Sequence, residues 1–218
     1  MIVSASFYFD LQSPLAYLAA ERVLHELPAA AEWQPVLARE LSGSASEPSG
    51  GAGDLAASSG LPGAGTQASA LAGDSDAFRA EIAGRAQQLG LQPLRWPQPF
   101  PFDSELAMLA ATYAKSIGRV VPFAQAAFRQ AFAGGRDLEQ PDNVVIAAAA
   151  CEMHPSAVLR GTELRSVASQ LRAATNAAIQ AQVKSVPAIV IDGVVFDGER
   201  AIERAAAEMH ALAEALAR

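Results

Sequence analysis

The strongest local constraint on the fold lies near the end of the chain, where an Asp-Gly pair separates two apolar runs. Residues 188–191 (AIVI) and 194–196 (VVF) are apolar and mainly β-branched, and Asp192 and Gly193 connect them. Such a two-residue connection is typical of a type I′ β-hairpin, because Asp and Gly both tolerate a positive φ. The sequence therefore predicts two antiparallel strands, followed by a closing amphipathic helix over residues 199–217.

The opening part of the chain predicts a strand, a helix and a second strand. Residues 2–9 are β-branched and aromatic, and residues 32–38 contain Pro35, which favours a sheet edge. Between them a helix begins at Ser13 and Pro14, with serine as the N-cap and proline in the first helical position. This order favours a right-handed crossover and a parallel strand pair.

Between these two ends the pattern is helical, except for a proline-rich connection over 91–102 and a segment of low complexity. Residues 42–73 are mainly Ser, Gly, Ala and Pro, which predicts a flexible segment, a lid or weak helix. The remaining order resembles the connectivity of thioredoxin. We therefore predict an α/β protein with a thioredoxin-like fold, in which residues 1–74 and 172–218 form a mixed four-stranded sheet with its helices. An all-helical subdomain is inserted over residues 75–171.

Charge, hydropathy and cysteine content exclude several classes of function. The formal net charge is −7, which leaves no basic footprint for nucleic-acid binding. No apolar run reaches the ~18–20 residues of a membrane helix, and Met1 leads straight into strand residues without the basic start of a signal peptide. We therefore expect a soluble, cytoplasmic protein without membrane partners. Cys151 is the only cysteine, so a CxxC dithiol is excluded, and the scattered histidines predict no metal site.

Three motifs of the chain resemble one known family. FYFDLQSPLAYLA (7–19) is similar to the N-terminal signature of 2-hydroxychromene-2-carboxylate isomerases and kappa-class glutathione transferases, in the DsbA-like branch of the thioredoxin superfamily. AFAGGRDLEQP (131–141) is similar to the GRD turn between two insertion helices, and VKSVPAIVIDGVVFDGERAI (183–202) resembles the C-terminal block. The resemblance implies a glutathione-dependent isomerase of an aromatic acid, or a kappa-like glutathione transferase. It also implies a homodimer and a small, aromatic, electrophilic substrate.

Ser13 is the predicted catalytic residue. Helix N-termini favour a thiolate, because their free N–H groups and the helix dipole stabilise negative charge. Since this chain has serine where thioredoxin-fold enzymes hold a reactive sulfur, the resemblance implies that glutathione supplies the sulfur. The serine hydroxyl would then hydrogen-bond to the glutathione thiolate. The Ser13-Pro14 pair by itself is also explained by a helix cap with no further role.

The resemblance implies further glutathione-binding residues near the C-terminus. Pro187 would be a cis proline facing the reactive site, and the backbone of Val186 would pair with the ligand as an added strand does. An acidic residue at the start of the last helix, Asp197 or Glu199, would hold the γ-glutamyl end. Acidic residues there also suit the helix dipole without any ligand.

Trp96, Phe100 and Asp103 are candidates for a substrate pocket. The two aromatic residues would bind an aromatic substrate, although packing in the core explains them equally, and Asp103 also suits a plain helix cap. Relatives carry an Asn-Pro-Pro run and a lysine after the second strand that help to hold glutathione. Residues 42–73 contain neither asparagine nor lysine.

The missing lysine leaves two predictions open. Arg39, Arg95 or Lys184 could supply the positive charge that glutathione needs, and spacing does not choose among them. Alternatively, the chain is a degenerate thioredoxin-fold binding protein without glutathione chemistry.

Overall fold

The central sheet contains four strands in the order β2-β1-β3-β4. In the computed structural model, which describes residues 4–41, 76–198 and 200–216, β1 pairs parallel with β2 and antiparallel with β3, and β4 continues antiparallel from β3. This mixed sheet confirms the predicted α/β, thioredoxin-like fold. The low-complexity segment 42–73 and Glu199 lie outside the described residues. The strands are β1 (Ala5–Phe9), β2 (Ala31–Pro35), β3 (Ala188–Ile191) and β4 (Val194–Asp197).

Helices surround the sheet. Between β2 and β3, all regular secondary structure in the described residues is helical. The residues between Gln88 and Glu105 are an irregular connection, as four prolines in twelve residues predict. The helices are α1 (Pro14–Glu26), α2 (Ala38–Leu41), α3 (Asp76–Gln88), α4 (Glu105–Ser116), α5 (Val120–Phe132), α6 (Pro141–Ala149), α7 (Pro155–Thr162), α8 (Arg165–Gln180) and α9 (Ala201–Leu216).

The structure confirms two local predictions, which are the hairpin turn and the position of Pro35 in an edge strand. Asp192 and Gly193 have φ values of 47° and 87°, as a type I′ turn requires. Strand β2 is shorter than predicted, because it ends at Pro35 and α2 already begins at Ala38. Helix α7 is too short to give a periodic signal, and the sequence did not predict it as a separate helix.

One apolar core joins the sheet to the helical region. The ring of Phe9 lies 5.6 Å from Trp33 in the neighbouring strand and 6.0 Å from Phe128 of α5. Helix α8 runs without a break through the predicted boundary at residues 171 and 172. The division into two subdomains remains a prediction. Within the described residues, no helix has both the length and the apolar character needed to cross a bilayer.

Candidate active site

The turn from β1 to α1 places Ser13 at the N-terminus of α1. Ser13 has an extended backbone, and its Oγ accepts a hydrogen bond from the backbone N–H of Ala16 at 3.2 Å. Pro14 occupies the first helical turn, where a missing N–H leaves no hydrogen bond unmade. The N-cap that the sequence predicts is therefore present. The side chain is nearly buried, with 5% of the residue exposed.

Val186 faces Ser13 across the start of β3. The hydroxyl of Ser13 lies 3.5 Å from the carbonyl oxygen of Val186, which is longer than a normal O–H···O hydrogen bond. The peptide bond between Val186 and Pro187 is cis, as the resemblance implied. The Ser13 oxygen accepts a hydrogen bond from the backbone N–H of Ala16, whereas its hydroxyl donates only a long, weak hydrogen bond to the carbonyl of Val186. The hydroxyl is therefore available to donate to an anion bound beside it.

A cleft of about 320 Å³ is lined by sequence neighbours of this pair, whereas Ser13 and Val186 themselves are not among its lining residues. Leu15, two residues beyond Ser13, and Pro187, directly after Val186, both line it. Its wall is mainly apolar along α1, where Leu18 and Ala19 continue the surface, and Gly198 borders it just before α9. The cleft therefore lies between α1, α3 and the start of α9, and it reaches the first turn of α1 at Leu15.

Arginine side chains bring positive charge to this cleft. Arg22 of α1 pairs with Glu26 and, at 2.5 Å, with Glu203 of α9, so it ties these two helices together. Arg85 of α3, which is paired with Glu81 at 2.5 Å, and Arg200 before α9 also line the cleft, as does the carboxylate of Glu203. The sequence did not predict this set, because the three arginines come from segments that only the fold brings together.

Two of the cations that the sequence analysis had proposed lie in other surroundings. The guanidinium of Arg39 makes ion pairs with Asp103 at 2.8 Å and with Glu105 at 2.5 Å. The backbone of Arg95 hydrogen-bonds to the carbonyl of Phe132. Within the described residues, neither of these arginines lines the cleft beside Ser13.

The predicted γ-glutamyl partners are only partly described. Glu199 lies outside the described residues. Asp197 ends β4, and its backbone carbonyl accepts a hydrogen bond from the guanidinium of Arg204. Among the described residues, the neighbouring Gly198 lines the cleft, whereas Asp197 does not. The role of either acidic residue in binding remains a prediction.

The predicted substrate-pocket residues do not line this cleft in the described part of the chain. The ring of Trp96 lies 4.8 Å from Phe100 and 6.1 Å from Phe132, so these aromatic residues pack on one another and against the core. Asp103 accepts a hydrogen bond from the backbone N–H of Glu105 at 2.8 Å, as a residue at a helix start does. A role in substrate binding remains a prediction for all three.

Asp10, which the sequence analysis did not single out, is a buried carboxyl group in the turn that carries Ser13. Its Oδ1 accepts from the backbone N–H of Gln12 at 3.0 Å and its Oδ2 from that of Ala38 at 2.9 Å. Burial raises the pKa of the Asp10 carboxyl, while these two hydrogen bonds and the positive charge of Arg39 act in the opposite direction. An aspartate between a strand and an N-cap is a recognisable Asx-turn signal, but burial is not visible in the sequence.

Comparison with known proteins identifies the family. The sequence profile of the DSBA-like thioredoxin domain matches residues 5–210. The chain belongs to this DSBA-like thioredoxin family. No curated protein sequence matches it significantly.

Solved structures share the fold of this DSBA-like protein at low sequence identity. A 2-hydroxychromene-2-carboxylate isomerase is 18% identical, with a TM-score of 0.74 over 98% of this chain and 97% of that chain. A Nitrosomonas europaea protein assigned as a disulfide isomerase is 17% identical, with a TM-score of 0.67 over 98% of both chains. Pseudomonas aeruginosa DsbA is 14% identical, with a TM-score of 0.53 over 97% of this chain and 80% of that chain. At these identities the similarity shows the fold alone.

The single cysteine of this DSBA-like protein is a packing residue. Cys151 is buried after α6, and its thiol donates to the carbonyl of Ala147 at 3.3 Å. Burial raises the pKa of this thiol, which disfavours the reactive thiolate. In the ranges 4–41, 76–198 and 200–216, no three His, Cys, Asp or Glu side chains lie close enough to share a metal ion.

Proposed function

We propose that this protein binds glutathione beside Ser13 and uses its thiolate to isomerise an aromatic acid of the 2-hydroxychromene-2-carboxylate type. A kappa-like transfer of glutathione to an aromatic electrophile uses the same first step. The observation that carries the proposal is the Ser13 hydroxyl, which caps α1 and is only loosely held by the carbonyl of Val186 at 3.5 Å.

The start of α1 offers the electrostatics that a thiolate requires. The first N–H groups of a helix lack partners within the helix, and the dipole adds positive potential at the same end. A thiolate sulfur bound beside Ser13 would accept the hydrogen bond that the hydroxyl now donates only weakly to the carbonyl of Val186. Both effects lower the pKa of a bound thiol and increase the fraction of thiolate at neutral pH.

The neighbouring cleft suits the rest of the tripeptide. Its volume of about 320 Å³ lies within the ordinary range of small-molecule sites. Glutathione carries two carboxylates, and Arg22, Arg85 and Arg200 line the cleft. These arginines offer a replacement for the lysine that residues 42–73 lack. The backbone of Val186 would pair with the cysteinyl unit, and Asp197 or Glu199 with the γ-glutamyl ammonium group.

The proposed reaction is an addition followed by an elimination. Because 2-hydroxychromene-2-carboxylate is a cyclic hemiketal, its ring C–O bond first breaks, and the hydroxyl proton moves to the phenolic oxygen, which leaves a ketone conjugated with the double bond. The thiolate then forms a C–S bond to a conjugated carbon, and the displaced π electrons move onto this carbonyl group. The former double bond is now single and can rotate. Collapse of the carbonyl electrons restores the double bond and breaks the C–S bond, which regenerates glutathione without any net oxidation or reduction.

Calorimetry and an optical assay test the proposal together. We expect saturable glutathione binding to the purified protein, and weaker binding of S-methylglutathione, which cannot form a thiolate. Addition of 2-hydroxychromene-2-carboxylate and glutathione should then give a protein-dependent change in absorbance. If this substrate is not turned over and model electrophiles are not conjugated, the enzymatic proposal is wrong.

A binding protein without glutathione chemistry is the second candidate. It is favoured by the absence of asparagine and lysine from residues 42–73. This candidate predicts no calorimetric signal with glutathione even at millimolar concentration. A cytoplasmic location and a homodimer belong to the first proposal, and light scattering of the purified protein tests the dimer.

A further inference from the structure

Asp10 lies where the turn that carries Ser13 meets the start of α2, and the proposed reaction does not use it. Only 1% of this residue is exposed. Its carboxyl group receives hydrogen bonds from the backbone N–H of Gln12 in its own turn and from that of Ala38 at the start of α2. One carboxyl group therefore connects the predicted catalytic turn to α2.

Further contacts hold the other residues of the same turn. The backbone N–H of Leu11 donates to the sulfur of Met108 at 3.3 Å, and the side-chain amide of Gln12 donates to the carbonyl of Phe102. The backbone N–H of Ser13 donates to the carbonyl of Asp10 at 3.0 Å. The position of the Ser13 hydroxyl therefore depends on this turn.

We infer that Asp10 is a positioning residue of the thiol site, and that its negative charge is electrostatically coupled to a thiolate held at Ser13. This inference rests on the proposed function in one respect, which is that glutathione supplies the thiolate in the natural reaction. The coupling itself is a property of the turn and applies to any thiol at that position.

The physical basis is repulsion between two like charges in a site with little water. Two nearby anions each raise the pKa of the other, and the effect is reciprocal. Arg39 is the charged group that favours the ionised form of Asp10, but it is shared with Asp103 and Glu105. Its compensation of the Asp10 charge is therefore incomplete, and burial adds to the rise in the pKa of Asp10.

An introduced thiol measures this coupling without any ligand. We would make Ser13→Cys alone and together with Asp10→Asn, and measure the pH dependence of iodoacetamide alkylation. The wild type, whose only cysteine is buried Cys151, provides the blank. Removal of the Asp10 charge should lower the pKa of the introduced thiol by about one unit, which gives about tenfold more thiolate at a pH below that pKa.

Asp137→Asn in the Ser13→Cys background is the matched control. Asp137 is also a buried aspartate, and its Oδ1 accepts from the backbone N–H of Glu139 at 2.8 Å in the turn before α6. This variant removes the same charge from the same type of turn in the helical region. If both aspartate substitutions change the pKa of the thiol equally, or neither changes it, the inference is wrong.

A second measurement does not require the Asp10 variant to fold. Carboxyl carbon NMR of the Ser13→Cys protein should show a step in the Asp10 resonance at the pH where the introduced thiol ionises. The Asp137 resonance should show no such step, and neither should Asp10 in the wild type. An Asp10 resonance that does not respond to the thiol would overturn the inference.

The outcome is separable from that of the proposed function. If glutathione does not bind to the wild type but the introduced thiol responds to Asp10, the glutathione proposal fails and the coupling stands. If glutathione binds and supports turnover while the pKa of the introduced thiol does not depend on Asp10, only the inferred coupling is wrong.

Discussion

Ser13 combines a structural and a proposed chemical role in one hydroxyl group. Its oxygen accepts from Ala16 as the cap of α1, while its proton points toward Val186. A residue that serves only as a cap affects stability, whereas a thiolate partner also affects the bound thiol. The two roles are therefore separable by experiment.

Ser13→Ala should reduce both stability and thiolate formation. Loss of the cap should lower the free energy of unfolding by about 1 kcal/mol. Loss of a hydrogen bond to a charged group, worth roughly 1.5–3 kcal/mol, should raise the pKa of bound glutathione by about one to two units. Thermal melting and absorbance titration of the bound thiol measure the two effects.

Ser116→Ala is the control for this experiment. The hydroxyl of Ser116 donates to the carbonyl of Tyr113 at 2.7 Å on the exposed end of α4, and it caps no helix start. This variant should leave the pKa of bound glutathione unchanged. An unchanged pKa in Ser13→Ala as well would show that Ser13 is only a cap.

Asp10 should make stability depend on pH in the direction opposite to a salt-bridged carboxylate. Because the pKa of Asp10 is raised in the folded protein, the folded state binds this proton more tightly than the unfolded state does. Its contribution is complete below the unfolded pKa of about 3.9 and is lost as the pH rises through the folded pKa.

Chemical denaturation of the wild type and of Asp10→Asn between pH 3 and 8 tests this dependence. This range includes the pKa of about 3.9 that Asp10 has in the unfolded state. The stability of the wild type relative to the variant should fall with rising pH, by about 1.4 kcal/mol for each pH unit by which the pKa is raised. A constant difference across this range would contradict the raised pKa.

At the scale of single elements, the hairpin turn depends on one glycine. Gly193 has a φ of 87°, in the region that side chains disfavour, although no atom would meet an added Cβ within 4 Å. Gly193→Ala should therefore destabilise the protein by about 1–2 kcal/mol through backbone strain alone. Denaturation midpoints measure this loss.

Gly84→Ala is a matched substitution that should have the opposite effect on stability. Gly84 lies inside α3, and an added Cβ there also meets nothing within 4 Å. Alanine should stabilise the helix by about 0.5–1 kcal/mol, because it loses less conformational freedom on folding. Equal effects at positions 84 and 193 would contradict the explanation by φ.

At the scale of the whole molecule, the shared core predicts one cooperative unfolding transition. Phe9 in the sheet contacts Phe128 of α5, and Tyr17 of α1 stacks on Phe132 at 5.6 Å. In the C-terminal half of α8, the hydroxyl of Thr175 accepts from the backbone N–H of Leu37 at 3.1 Å. The helical region and the sheet therefore lose their contacts together.

The two tryptophans of the chain report on the two regions separately. Trp33 lies in β2, and Trp96 lies in the connection that packs against α5. Trp96→Phe leaves a probe in the sheet, and Trp33→Phe leaves one on the helical side. Within each variant, the fluorescence transition should coincide with the circular-dichroism transition, as two-state unfolding requires. Fluorescence and helix content that change at different denaturant concentrations would show two independent units.

The sequence by itself determined the elements whose signals are local. Ser13 followed by Pro14 marks the start of α1, and Asp192 with Gly193 marks the hairpin, because capping and turn chemistry depend on neighbouring residues only. The order of these elements was then sufficient for the thioredoxin-like topology, since a crossover and a hairpin leave few arrangements of the strands.

Only the tertiary structure decided what surrounds Ser13. Arg22, Arg85 and Arg200 are far apart in the sequence, and they line one cleft because α1, α3 and the start of α9 pack together. The burial of Asp10 depends in the same way on α2, where the backbone N–H of Ala38 donates to its carboxyl group. The charge and the burial of a site depend on residues from several separate segments. A local sequence pattern covers only one segment and therefore does not show them.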